Sequence, residues 1–327
     1  MALDRDIKPA LPEPRCTTER LYCSGCAAGQ RLRDQVESPQ GDIQHMSDTS
    51  TKTVTDTSAV RIEGLEFVEF AAPDPAQLVS FLEQLGFRAC ARHRSKDVTL
   101  YRQGEINFIV NATPGSFAQS YAQQHGASIC ALALRVNDAN SAYQTLLARG
   151  AWEASTTAGV MELNIPALEC IGGSQIYLID RYGQDLSIYD IDFKALPDTE
   201  VPAEQLQQVS GLTLSVCAGR SPEWSDFFCQ LFGFSATEPD LVTSPDGVLQ
   251  LRFQELDGEH RDLADEGFAS IELSTSDLAG TEAHFSASGL QFRPAGPAST
   301  QTGTQPNDCY AVQHPLFDSS VNFFIGR

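Results

Sequence analysis

The sequence predicts an α+β protein assembled from βαβββ units, four in all, two in each half of the chain. Three observations carry this. A strand–helix–strand–strand order appears between residues 61 and 110, and it recurs between 129 and 189. Gly64-Leu65 stands 22 residues before Gly86-Phe87, and Gly211-Leu212 stands 22 residues before Gly233-Phe234. Asp138 and Gly150, in turn, match Asp277 and Gly289 at a common separation of 12. Spacings repeated at this scale are the signature of internal duplication. Each pair of units is expected to form an open, curved half-barrel.

The elements follow in order. Leu65–Phe70 alternates apolar and polar residues as a strand, and Pro73-Asp74-Pro75 opens a helix that runs through Leu85. Gly86 follows in the usual C-terminal position. Strands are expected at Val98–Tyr101 and Ile106–Val110, then at Ile129–Val136, followed by a helix from Asn140 to Ala148 ended by Gly150. Further strands are expected near Ile176–Ile179 and Ser187–Tyr189. In the second half, Phe228–Phe234 matches Phe81–Phe87, Tyr310–Gln313 matches Tyr177–Asp180, and Val248–Leu256 reads as a strand. Residues 1–60 are rich in Thr, Ser, Asp, Pro and Gln without periodicity and read as a disordered leader, with Met46 an alternative start to Met1. The expected organisation is therefore a leader at 1–60, a first domain at 61–196, a linker at 197–208 and a second, shortened domain at 209–327.

At 327 residues, with 42% hydrophobic and 20% charged residues, the chain is long enough for two globular domains, each with its own core. No apolar run reaches the roughly 18 residues that span a bilayer. The start Met1-Ala2-Leu3-Asp4-Arg5 has no secretory pattern, so the cytoplasm is the default expectation. Forty-three acidic residues against 22 basic ones give a formal net charge of -21. Such a surface repels phosphate backbones and anionic lipid, which argues against nucleic-acid and membrane partners. Adaptation to a salty cytosol and plain acidity both account for it. Nine cysteines are present. Cys90, Cys130, Cys217 and Cys229 lie in apolar stretches and read as small buried hydrophobes. Cys16, Cys23 and Cys26 lack a fourth ligand nearby, which disfavours zinc.

Several first-half stretches resemble the 4-hydroxyphenylpyruvate dioxygenase family of the vicinal-oxygen-chelate superfamily. They are GLEFVEFA at 64–71, RHRSKDV at 92–98, LYRQGEIN at 100–107, ELNIPA at 162–167, YLIDRYG at 177–183 and SIYDIDF at 187–193. The resemblance implies two vicinal-oxygen-chelate domains, each of paired βαβββ modules, with the first chiefly structural. In the second, iron(II) held by two histidines and a glutamate leaves positions for a 2-oxo acid and O2. Family enzymes convert 4-hydroxyphenylpyruvate to homogentisate.

At the positions that match those ligands this sequence has Gly211, Ser270 and Phe323. Glycine offers no donor, a neutral serine is a poor iron(II) ligand, and phenylalanine is apolar. The three are expected to cluster in the second domain's cavity. Gln313 matches a glutamine that contacts substrate in the family. Glu272, two residues from Ser270, Gln254 and His314 form a conceivable relocated ligand set. No metal or cofactor is expected, with Fe(II) expected only if the family activity is retained. Three readings stay open: an altered or inactive relative kept as a small-molecule binding or interaction module, an enzyme with a relocated metal or none, and a true dioxygenase. A small aromatic or 2-oxo acid is the expected ligand, and a homo-oligomer is compatible with the sequence.

Overall fold

The structure is a computed structural model that describes residues 60–155, 162–183, 186–197, 205–258, 262–294, 309–317 and 322–326. The expected leader up to residue 59, the Cys16, Cys23 and Cys26 cluster, Met46 and linker residues 198–204 lie outside these.

The first half supplies β1 (Ile62–Ala71), α1 (Pro75–Gln84), β2 (Arg88–His93), β3 (Val98–Gln103), β4 (Ile106–Asn111) and α2 (Phe117–His125). It continues with β5 (Ser128–Val136), α3 (Ala139–Ala148), β6 (Ala167–Glu169), β7 (Gln175–Ile179), α4 (Ile188–Asp192) and β8 (Phe193–Ala195). The second half supplies β9 (Gln208–Val216), α5 (Ser221–Phe232), β10 (Ser235–Glu238), β11 (Leu241–Thr243) and β12 (Gln250–Glu255). After it come β13 (Gly267–Ser274), α6 (Leu278–Ala287), β14 (Gln291–Pro294), β15 (Cys309–Gln313) and β16 (Asn322–Gly326). These strands form two sheets, ordered β6-β7-β5-β1-β4-β3-β2-β8 and β10-β11-β12-β9-β13-β16-β15-β14. Because all strands of the first sheet precede residue 196 and all of the second follow 207, a domain division within 197–208 stays our proposal.

The duplication is visible in the pairing. β1 runs parallel to β4 and antiparallel to β5, which is parallel to β7; β9 runs parallel to β12 and antiparallel to β13, which is parallel to β16. β7 is therefore the counterpart of β16, and β6 that of β15. The expected match of Tyr177–Asp180 with Tyr310–Gln313 is corrected, since β15 is antiparallel to its neighbour β16. Helix ends repeat too. Asp74, Asp138 and Asp277 accept the N–H groups of Ala76, Ser141 and Gly280, satisfying donors that the first turn leaves open. Gly86, Gly150, Gly233 and Gly289 follow the four main helices with φ of 84°, 99°, 71° and 94°, a region that a side chain would strain.

Two local expectations change. Residues 187–189 open the helix α4 rather than a strand, because Ser187 and Asp190 form a reciprocal capping box. α2 was missed: its sequence, FAQSYAQQH, is largely polar, yet Ser116 caps it and Ala118, Tyr121 and Ala122 bury one stripe.

The main core is shared between the halves. Phe323 of β16 stacks on Phe70 of β1 at 5.8 Å and meets Phe81 of α1 edge-on at 4.8 Å. Fully buried Gln103 donates to the Leu85 carbonyl and accepts the Leu206 N–H, both at 2.7 Å, tying the chain before β9 to the end of α1. At Gly172, φ +59°, a Cβ would come within 2.0 Å of the Glu266 carbonyl oxygen, so the halves approach here only without a side chain. The expectation of a separate core for each half is thereby modified.

Candidate functional site

Ile271 and Leu273 on β13, Leu212 and Leu214 on β9, and Phe323 and Ile325 on β16 all enter the core. Alternation sends their neighbours to the other, inner face. The register bears this out: Ser270 lies opposite Thr213 and Asn322, and Glu272 lies opposite Gly211 and Phe324. A bulge carries the β9 pairing from Gly211 to Val209 across a single step of β13, which keeps both Leu212 and Val209 in the core. Gln250 of β12 continues the row beyond Gly211.

Glu272 is the carboxyl of this face, only 8% exposed. Its Oε1 lies 4.0 Å from the Cys309 thiol. Burial pushes its pKa up to about 7, against the opposing pull of Arg252. Arg252 is itself bonded to Asp240 at 2.7 Å. Burial, reinforced by Glu272, lifts Cys309 to about 12, so the thiol stays protonated.

The sequence-derived residues scatter. Gly211 and Ser270 share the inner face with Glu272. Phe323 does not, and the expected cluster of three is corrected: one residue of strand parity turns its ring into the core, and Phe324 takes the inner position beside Glu272. Gln254 lies opposite Ser215, four residues along β12 from Gln250, or about 13 Å from the Glu272 row, and it is exposed. His314 packs its ring 4.8 Å from that of Phe81, and its Nδ1 accepts the Leu316 N–H, on the core side. The relocated set of Glu272, Gln254 and His314 is therefore not brought together. Gln313 ends β15 exposed, two residues beyond Ala311, which lies opposite Phe324.

The sequence reading overlooked the first sheet's inner face. There α4 and the 162–165 segment close over the strands and leave a cavity of about 440 Å³. Glu69 of β1 sits in it, 4% exposed, accepting from Asn111 Nδ2 at 2.8 Å and hydrogen-bonded by Tyr177. Burial raises its pKa, more than these bonds lower it. By strand alternation alone Glu69 would be a solvent-facing position. The signal against that was the near-continuous apolar run of β4 and β5, which marks strands covered on both faces.

The iron(II) site implied by the resemblance needs two imidazoles and a carboxylate converging on one point. The inner face of the second sheet gives one carboxyl flanked by a glycine, a serine hydroxyl and a phenyl ring, and these residues do not fit the ion. Among the described residues, no group of three or more His, Cys, Asp or Glu side chains is placed to hold a metal. Among them, too, no helix is long and apolar enough to cross a membrane.

The family model described as hydroxyphenylpyruvate dioxygenase, N-terminal, matches residues 57–194. A 4-hydroxyphenylpyruvate dioxygenase from a Pseudomonas species is 37% identical over 256 residues, covering 72% of this chain and 72% of its own. The hemolysin VllY of Vibrio vulnificus is 36% identical over 258 residues, covering 71% of this chain and 72% of its own. A solved xylose isomerase-like TIM barrel/4-hydroxyphenylpyruvate dioxygenase fusion protein superposes with a TM-score of 0.67 at 25% identity, over 82% of this chain and 49% of the fusion. Two eight-stranded sheets of repeated βαβββ units and this level of identity place the chain in the 4-hydroxyphenylpyruvate dioxygenase family of the vicinal-oxygen-chelate superfamily.

Proposed function

We propose that this family member has lost iron-dependent dioxygenation and is retained as a small-molecule binding module. One observation carries the reading: on the second sheet's inner face Glu272 stands among Gly211, Ser270 and Phe324, with no histidine on the paired strand positions around it among the described residues. A protein of this kind takes a small aromatic or 2-oxo acid ligand without turning it over, needs no metal or other cofactor, and works in the cytoplasm. Its net charge of -21 keeps it off nucleic acid and anionic membranes. Incubation with 4-hydroxyphenylpyruvate, iron(II) and O2 tests the proposal: no homogentisate is expected, and its catalytic formation would refute it.

A second reading is favoured by Glu272 alone. A buried carboxyl with a pKa of about 7 is poised to take or give a proton near neutral pH without a metal. Iron-independent conversion of a 2-oxo acid that Glu272→Gln abolishes would select this reading over the first.

A further inference from the structure

We propose that the cavity of the first sheet binds a small, non-anionic molecule whose ring-bearing apolar body presents one N–H or O–H donor to Glu69. The site is separate from the second sheet's inner face, so the inference stands apart from the functional reading above.

The cavity holds about 440 Å³. A cavity of about 150 Å³ accommodates benzene, so this one has room for a body of about two fused rings. Phe67, Val98, Ile109, Tyr177, Ile188 and Phe193 form an apolar, partly aromatic wall, and polar side chains such as Asn164 and Gln175 line the rest. Phe67 and Tyr177 pack ring to ring at 5.9 Å and hold that wall in place. Purely structural packing would fill such a space with side chains and would not bury a carboxyl in it, since an under-bonded buried carboxyl is costly.

Glu69 keeps acceptor capacity in hand. A carboxyl offers about four lone-pair sites, and Asn111, Cys130 and Tyr177 occupy three, which leaves one for a ligand. A second polar group lines the same cavity: the Thr113 hydroxyl is buried and has no hydrogen-bond partner among the described residues. A bound molecule with a donor for Glu69 and an acceptor for Thr113 would satisfy both.

Charge sets the class of ligand. The lining holds three carboxyls, Glu69, Glu162 and Asp192, against Lys96, which is bonded to Glu162 at 2.9 Å. His93 accepts the N–H groups of Ser95 and Lys96 on Nδ1, and burial lowers its pKa, so it adds no cation at neutral pH. A carboxylate or phosphate entering here meets negative neighbours and a lysine already engaged. An amine or alcohol meets an acceptor.

Three probes of one shape separate these cases: 2-naphthylmethylamine, 2-naphthylmethanol and 2-naphthoate, titrated into the full chain by calorimetry and ligand-observed NMR. The amine and the alcohol are expected to bind one per chain, and the naphthoate about tenfold more weakly or not at all. Glu69→Gln, close in shape, should weaken the amine by about tenfold or more, the effect of losing a charge-assisted hydrogen bond. Val98→Phe, which fills the cavity, should abolish binding of both while near-ultraviolet circular dichroism stays native. If Val98→Phe fails to fold, the Glu69→Gln titration decides. The inference is overturned if no probe binds the wild-type chain, if naphthoate binds as well as the amine, or if binding is indifferent to the variants that fold.

Discussion

Glu272 makes the stability of this protein depend on pH in a direction that can be worked out. Its pKa is about 7 in the folded chain against an ordinary 4.5. A raised carboxyl pKa means that the folded state holds the proton more tightly than the unfolded one. The stability it contributes is complete below pH 4.5 and is lost as pH rises through 7. The full difference corresponds to about 3 kcal/mol. The isoelectric point near 4.5 makes the acid limit unusable for soluble protein, so the practical window is pH 5.5 to 8.5. Across it the linkage amounts to about 2 kcal/mol. Glu272→Gln keeps the shape and cannot ionise, so it should be the more stable protein at pH 8.5, with its advantage shrinking by about 2 kcal/mol at pH 5.5. Urea unfolding of both proteins across the window measures this, and taking the difference cancels other titrating groups such as Glu69. An advantage independent of pH, or a wild-type chain that gains on the variant as pH rises, would refute the reasoning.

The core position of Phe323 yields a second test. Phe323→Ala should cost about 3 to 5 kcal/mol and lower the melting temperature by roughly 10 °C or more. Phe323→Glu should be worse still, because it buries an unpaired charge against Phe70 and Phe81, whereas Phe324→Glu, on the inner face, should be tolerated better. Differential scanning fluorimetry ranks the three, and a Phe323→Glu protein as stable as wild type would contradict the assigned strand parity. Finally, the net charge of -21 implies self-repulsion that salt relieves, so the melting temperature should rise toward about 1 M salt, where the Debye length is about 3 Å.

Much of the fold could be read from the sequence because its signals are local. Asp N-caps, post-helical glycines and repeated spacings depend on a few adjacent residues, and each of Asp74, Gly86, Asp138 and Gly150 does what its neighbours imply. The short helix α4 was misread because Ser187-Ile188-Tyr189 has strand-like apolar content, and its capping box overrides that preference. The site was less legible. Whether Phe323 or Phe324 faces inward turns on a single residue of register on β16, which its run of apolar residues does not mark. Glu69 was passed over because its burial comes from segments roughly 90 to 120 residues away, 162–165 and α4. Gln254 and His314 looked available to Glu272 only while their distance along and across the sheet was unknown.

We propose that the second sheet does not carry the family's iron chemistry. Purified full-length protein, equilibrated anaerobically with iron(II) and then freed of excess, should retain far less than one iron per chain. Its O2 consumption with 4-hydroxyphenylpyruvate should not exceed that of a protein-free control. One tightly held iron per chain, together with iron-dependent O2 uptake on that substrate, would contradict the account.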